Sequence, residues 1–162
     1  MKKTNALFCI LITISIILCS CSNTAKNDSI LFYYCSAQEN YSTTGQAIQY
    51  EKHNTTEPLA YSKLLSVYLD GPRSSNLTSP FPEGTKLVRC SLEQQIVQIV
   101  LNDQFSKLTG IELSIACACL CLTAENITGC AQVQISAENM TLDGKDSITL
   151  NANNLILLEQ TP

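Results

Sequence analysis

Histidine is nearly missing from this chain. His53 is the only one in 162 residues, so a serine or cysteine nucleophile would lack its usual base. The sequence also lacks the G-x-S-x-G, H-E-x-x-H, G-x-x-x-x-G-K-[ST] and G-x-G-x-x-G patterns through which hydrolases, zinc proteases and nucleotide-binding proteins announce themselves. Charge is sparse as well, at 15% of residues, and the balance is acidic, with a net charge of −4. Nucleic-acid binding rests on neutralising phosphates with Lys and Arg, so that class is excluded. Asp70, Asp103 and Asp143 fall at the ends of predicted elements, where carboxylates cap or solvate. The expectation is therefore no enzyme, no catalytic residue and no cofactor.

What the chain does have is a distinctive beginning. Lys2 and Lys3 precede an apolar run from Ala6 to Leu18, which closes on Leu18-Cys19-Ser20-Cys21. Charged, apolar and small segments in that order read as a secretory signal. The run is too short for a bilayer span, which needs about 20 residues. The closing tetrapeptide resembles a bacterial lipobox, which implies cleavage before Cys21 and a diacylglycerol thioether on its sulfur. Two acyl chains hold a protein stably on a membrane, whereas one is marginal. The sequence thus predicts a signal peptide over 1–20, a lipidated Cys21 with a polar tether over 21–29, and one domain over 30–162 with its core at about 56–145. It predicts a cell-membrane lipoprotein on the extracytoplasmic face. Removing Lys2 and Lys3 makes the remainder two charges more negative, so the lipid rather than a basic face must do the anchoring.

Six cysteines remain beyond the signal and anchor: Cys35, Cys90, Cys117, Cys119, Cys121 and Cys130. Outside the cytoplasm an even count suggests disulfides. Within one helix, however, Cys117, Cys119 and Cys121 cannot reach one another, so any bridge must run to Cys35, Cys90 or Cys130. The other reading is that all six are reduced thiols packed as small apolar residues. Both stay open. C-x-C-x-C lacks zinc spacing, so no metal is expected, and His53, in a polar stretch, is expected to be solvated. Of the sequons at Asn27, Asn40, Asn54, Asn76, Asn126 and Asn139, none is expected to carry a glycan behind a bacterial lipobox.

Periodicity places the elements. Ile30–Cys35 reads as a strand and Ala47–Tyr50 as an edge-like one. Thr56 and Pro58 open a helix whose face is Tyr61, Leu64, Leu65, Tyr68 and Leu69, and which Gly71-Pro72 ends. The proline-rich segment at 73–85 is irregular. Residues 86–92 and 95–101 alternate as a hairpin, with Val88, Cys90 and Leu92 on one face and a turn at Glu93-Gln94. Asn102 caps a short turn. Thr109 and Glu112 form a capping box for a helix over about 111–124, apolar nearly all round and therefore buried. Residues 130–136 follow as a strand with Val133 and Ile135 inward. A turn at Asp143-Gly144 and short extended pieces at 147–150 and 155–158 close the chain.

Three stretches together resemble the GerMN domain family of spore-forming Firmicutes: Leu64-Leu65 with Leu69-Asp70-Gly71-Pro72; Ser79-Pro80-Phe81-Pro82-Glu83-Gly84-Thr85; and the buried helix with Leu142-Asp143-Gly144-Lys145. The resemblance implies an α/β (α+β) domain with two helices on a small mixed sheet, like the ring-building modules of the sporulation channel. It implies no cofactor, a sporulation, germination or envelope role, an envelope or sporulation protein as partner, and leaves a homo-oligomer open. The alternative is a lipoprotein that binds a small ligand or cell-wall glycan, with Tyr33, Tyr34, Tyr61 and Tyr68 as stacking surfaces.

Overall fold

In the computed structural model, residues 29–37, 47–55, 59–138 and 145–155 are described. The signal, Cys21, the tether as far as Asp28, Thr56, Pro58 and the Asp143-Gly144 turn lie outside them, and Ser29, expected in the tether, opens a strand. The strands fall into two sheets rather than one. The first has the order β2-β1-β3, built from β1 (Ser29–Ser36), β2 (Ile48–Asn54) and β3 (Leu77–Thr78). The second has the order β4-β5-β6-β7, from β4 (Leu87–Glu93), β5 (Ile96–Leu101), β6 (Gln132–Ala137) and β7 (Ile148–Asn151). Helix α1 (Tyr61–Leu69) connects β2 to β3 within the first sheet, and α2 (Gly110–Thr128) is the crossover that lets β6 run parallel to β5. A parallel pair needs such a connection. The result is the expected α+β class, with the second sheet mixed.

Alternation explains the second sheet. Val97, Ile99 and Leu101 of β5 face Val133, Ile135 and Ala137 of β6, and all six are buried. Helix α2 lies over them with nine buried residues, including Cys117, Leu120, Cys121 and Ala124. By length and composition α2 could cross a membrane, but its apolarity is spent on the core. It is longer than the sequence predicts and ends where Gly129 takes a left-handed φ of 73°. Thr109 is its N-cap residue, yet no capping-box bond forms from the Thr109 side chain.

An aromatic file ties the two sheets together. His53 stacks on Phe32 with centroids 4.9 Å apart, and Phe32 meets Tyr68 at 5.4 Å. Tyr68 meets Tyr34 at 4.9 Å and Phe81 at 5.5 Å, and Phe81 meets Phe105 at 6.2 Å. Phe105 sits in the 3-10 turn Asp103–Lys107 that follows β5. Tyr68 and Tyr34 are buried with their hydroxyls satisfied: Tyr68 donates to the Tyr33 carbonyl at 2.7 Å, and Tyr34 to the Tyr68 carbonyl at 2.9 Å. Buried tyrosines require such partners. His53 is therefore not solvated, as the polar stretch suggests; register opposite Ile30 turns it inward, where it is 8% exposed.

Candidate interaction surface

Strand β4 forms the outer edge of the second sheet, and no described strand pairs with its far side. Its pairing with β5 runs Leu87↔Leu101 and then Arg89↔Val100, so Val88 is an extra residue, a bulge. The bulge shifts the phase of the strand. Leu87, not Val88, joins Cys90 on the core face, while Val88 is 48% and Leu92 42% exposed. The expected face of Val88, Cys90 and Leu92 is thus corrected: Cys90 packs on the core, while Val88 and Leu92 are exposed. Edge strands are blunted by charges and bulges; here Arg89, Glu93 and the bulge accompany two exposed aliphatic side chains.

The hairpin turn sits one residue later than expected, at Gln94-Gln95, with φ of 49° and 67°. Both residues are left-handed, as a type I′ turn demands, although neither is the Asn or Gly that adopts it cheaply. The Gln95 side-chain oxygen accepts from the Cys130 thiol at 3.5 Å, which fastens the turn to the start of β6.

At the opposite end of β4, the Pro-Glu-Gly-Thr loop is held from both sides. Phe81 is sunk into the aromatic file, and the Thr85 hydroxyl donates to the Pro82 carbonyl at 2.8 Å. Gly84 has a φ of 81°, a conformation that glycine takes without strain. Asn102 staples this loop to the end of β5. Its oxygen accepts from Lys86 N–H at 3.0 Å and its amide donates to the Gly84 carbonyl at 2.9 Å. The side chain does not cap the 3-10 turn. Only Glu83 and Gly84 of the loop face solvent.

The remaining sequence candidates scatter. Asp70 is the exposed residue ending α1, Asp103 is the exposed start of the 3-10 turn, and Asp143 lies outside the described residues. Among the described residues no group of His, Cys, Asp and Glu could hold a metal ion. All six cysteines named above are unbridged, with Cys117, Cys119, Cys121 and Cys130 buried and Cys35 and Cys90 half-buried. Burial pushes the Cys117 thiol up to about 12 and the Cys121 thiol to about 11. Tyr34 and Tyr68 offer no stacking face, being enclosed; Tyr61 is 42% exposed, and Tyr33 pairs with exposed Tyr50 at 5.8 Å. A groove of about 320 Å³ opens between α2 and β7, lined by Leu113, Cys117, Ile148, Leu150 and Leu155.

Sequence reasoning misses the seam between α2 and β1. Thr123 Oγ1 accepts from Tyr33 N–H at 2.9 Å, and Asn126 Oδ1 accepts from Leu31 N–H at 2.7 Å. These side chains do for β1 what a neighbouring strand would. The available signal is the stripe Cys119, Thr123, Asn126, spaced like one helical face in an otherwise apolar helix. It also gives Asn126 a structural role at a sequon.

Comparison with known proteins agrees with this architecture. The model of the Germane family, described as sporulation and spore germination, matches residues 31–143. The chain superimposes on the first GerMN domain of the sporulation protein GerM from Bacillus subtilis with a TM-score of 0.56 at 8% identity, covering 76% of this chain and 95% of that one. Against the tandem GerMN domains of the same protein the TM-score is 0.51 at 16% identity, covering 76% of this chain. This chain spans 45% of that tandem structure. At such identities the likeness is one of fold. No curated protein matches the chain.

Proposed function

This chain belongs to the Germane family of sporulation and spore germination, and from that premise we propose that it is a lipid-anchored, non-catalytic docking domain of the cell envelope. The observation that carries the reading is the lipobox-like Leu18-Cys19-Ser20-Cys21 behind a short apolar run. A thioether lipid at Cys21 would hold the domain at the extracytoplasmic face of the membrane on a short polar tether. Val88 and Leu92 on the edge strand then supply the apolar contact for an envelope or sporulation protein, or for a second copy of the chain. The scattered carboxylates support a role without chemistry.

The test of the anchor is Cys21→Ser in the producing cell. The expected outcome is an uncleaved precursor and loss of the lipid-modified form from detergent extracts. Normal maturation with unchanged membrane fractionation would defeat the reading.

One observation favours a second reading. The groove between α2 and β7 suits a small ligand with an apolar body and a polar end rather than a stacked glycan, since Leu113, Ile148, Leu150 and Leu155 line it together with Ser114 and Lys145 and no aromatic ring does. A ligand at 100 times its dissociation constant would stabilise the protein by about 2.7 kcal/mol, so a thermal-shift screen that stays flat dismisses it.

A further inference from the structure

We propose that Cys35 and Cys119 are a redox couple that closes to a disulfide and staples the edge of β1 to α2. The seam fixes the geometry. Thr123 and Asn126 are bonded to the backbone of Tyr33 and Leu31, and β1 and α2 run in opposite directions past each other. One helical turn back from Thr123, about 6 Å, stands Cys119. Two residues on from Tyr33, about 6.6 Å along the strand, stands Cys35. The two side chains are therefore the next rung along the same seam, although the Cys35 backbone itself pairs with Thr78 of β3, and the two thiols are neighbours close enough to interact. Among the described residues no other two cysteine thiols share a hydrogen bond.

The rung is chemically asymmetric. Cys35 is half-buried and Cys119 fully buried. The hydrogen bond from Cys119 holds the Cys35 thiol below its ordinary value, while that same bond and burial drive Cys119 upward. Cys35 is accordingly the thiolate that meets an oxidant, and Cys119 is the thiol that resolves it. With a low-molecular-weight disulfide as oxidant, the Cys35 thiolate attacks one sulfur, forming a mixed disulfide and expelling one thiolate. The Cys119 sulfur then attacks the Cys35 sulfur, breaking the mixed bond and expelling the second thiolate. Two protein thiols are oxidised, the reagent is reduced to two thiols, and the two protons leave with them. Cys90, Cys117, Cys121 and Cys130 take no part.

The test uses the full chain, treated with oxidised glutathione, acid-quenched, alkylated and digested with trypsin without reductant. The anchoring reading is not needed for the result, because the redox buffer is supplied. The expected product has lost two alkylatable thiols and joins the peptide 27–52 to the peptide 108–145. The join persists in Cys117→Ser and Cys121→Ser. It is absent in Cys35→Ser, which alters only a half-buried position, and Cys119→Ser stops at glutathione on Cys35. No join in the wild type, a join that survives Cys35→Ser, or one that disappears in Cys117→Ser or Cys121→Ser overturns the proposal.

Discussion

Strands β1 and β4 each have a long edge that no described strand pairs along its length, and the molecule treats the two edges oppositely. Against β1, helix α2 lays Thr123 and Asn126, whose side-chain oxygens take the N–H groups of Tyr33 and Leu31. Against the outer edge of β4 nothing comparable is built, and Val88 and Leu92 stay exposed. An unpaired buried donor costs about 1–3 kcal/mol, so the first edge is closed because it lies beneath a helix. The second carries the exposed side chains of Val88, Arg89, Leu92 and Glu93. The contrast teaches where this domain spends its interactions: the first edge is bonded shut, and the second is the one to which the docking proposal assigns a partner.

The comparison is tested hardest at Tyr68, which anchors the closed side from α1. Tyr68→Ala removes a buried ring packed on Phe32, Tyr34 and Phe81, together with the bond to the Tyr33 carbonyl. Truncating a buried aromatic costs about 3–5 kcal/mol, against a total of about 5–15 for a domain. Urea melts of the variant are expected to show most of the stability gone. A loss below about 1 kcal/mol would mean that the aromatic file does not organise this half.

Alkali should find the same half. The thiols of Cys117 and Cys121 and the hydroxyl of Tyr68 all have folded values raised by burial. The folded state keeps protons that the unfolded chain gives up near 9 for cysteine and 10 for tyrosine. Stability contributed by these groups is full below pH 9 and falls as pH rises toward 11 and 12, by at most about 1.4 kcal/mol per group for each pH unit. A melting temperature level from pH 7 to 8.5 and declining above 9 is the expected profile. A rise across that interval would contradict it.

Thr123→Val is the smaller, sharper probe. The shape is retained while the acceptor for Tyr33 N–H is lost, so about 1–3 kcal/mol should disappear. The amide proton of Tyr33 should exchange faster in the variant while those of β5 are unchanged. Equal exchange at both would show that the seam is not a bonded ladder.

Much of the closed half can be read from the sequence in outline but not in pairing. The alternation of Val97, Ile99 and Leu101, the inward Val133 and Ile135, the α1 face of Leu64, Leu65 and Tyr68, and the apolarity of α2 are local periodicities. What they pair with is not local. Thr123 meets a residue 90 positions away and Asn126 one 95 away, so nothing near either residue announces the bond. Partition into two sheets is likewise a matter of long-range pairing, and two-residue β3 is too short for any periodic signal. His53 looks solvated because its neighbours are polar, yet strand register decides which way it points. The bulge at Val88 changes which alternate residues face inward, and a pattern of alternation cannot show a phase slip within itself. The proposed anchor is the reverse case: the reading of Cys21 rests on sequence alone, because a sorting signal acts as a linear motif before any fold exists.

The open edge calls for the smallest change in stability and the largest change in behaviour. Val88→Lys with Leu92→Lys places charge where the side chains already face water, so the folding free energy should move by no more than about 0.5 kcal/mol. Positive charge on an edge strand opposes pairing with another strand and withdraws the apolar contact from any partner. In membranes of sporulating cells, a cross-linker placed at Glu93 should capture a neighbouring protein, or a second copy, with the natural sequence and lose it with the lysine pair. If capture persists while the melting temperature is unchanged, β4 is not the docking edge and contact must come from another surface, the exposed Tyr50 face of the first sheet being the next to examine. If instead the melting temperature falls by several degrees, Val88 and Leu92 belong to the core after all, and the two edges would no longer differ in kind.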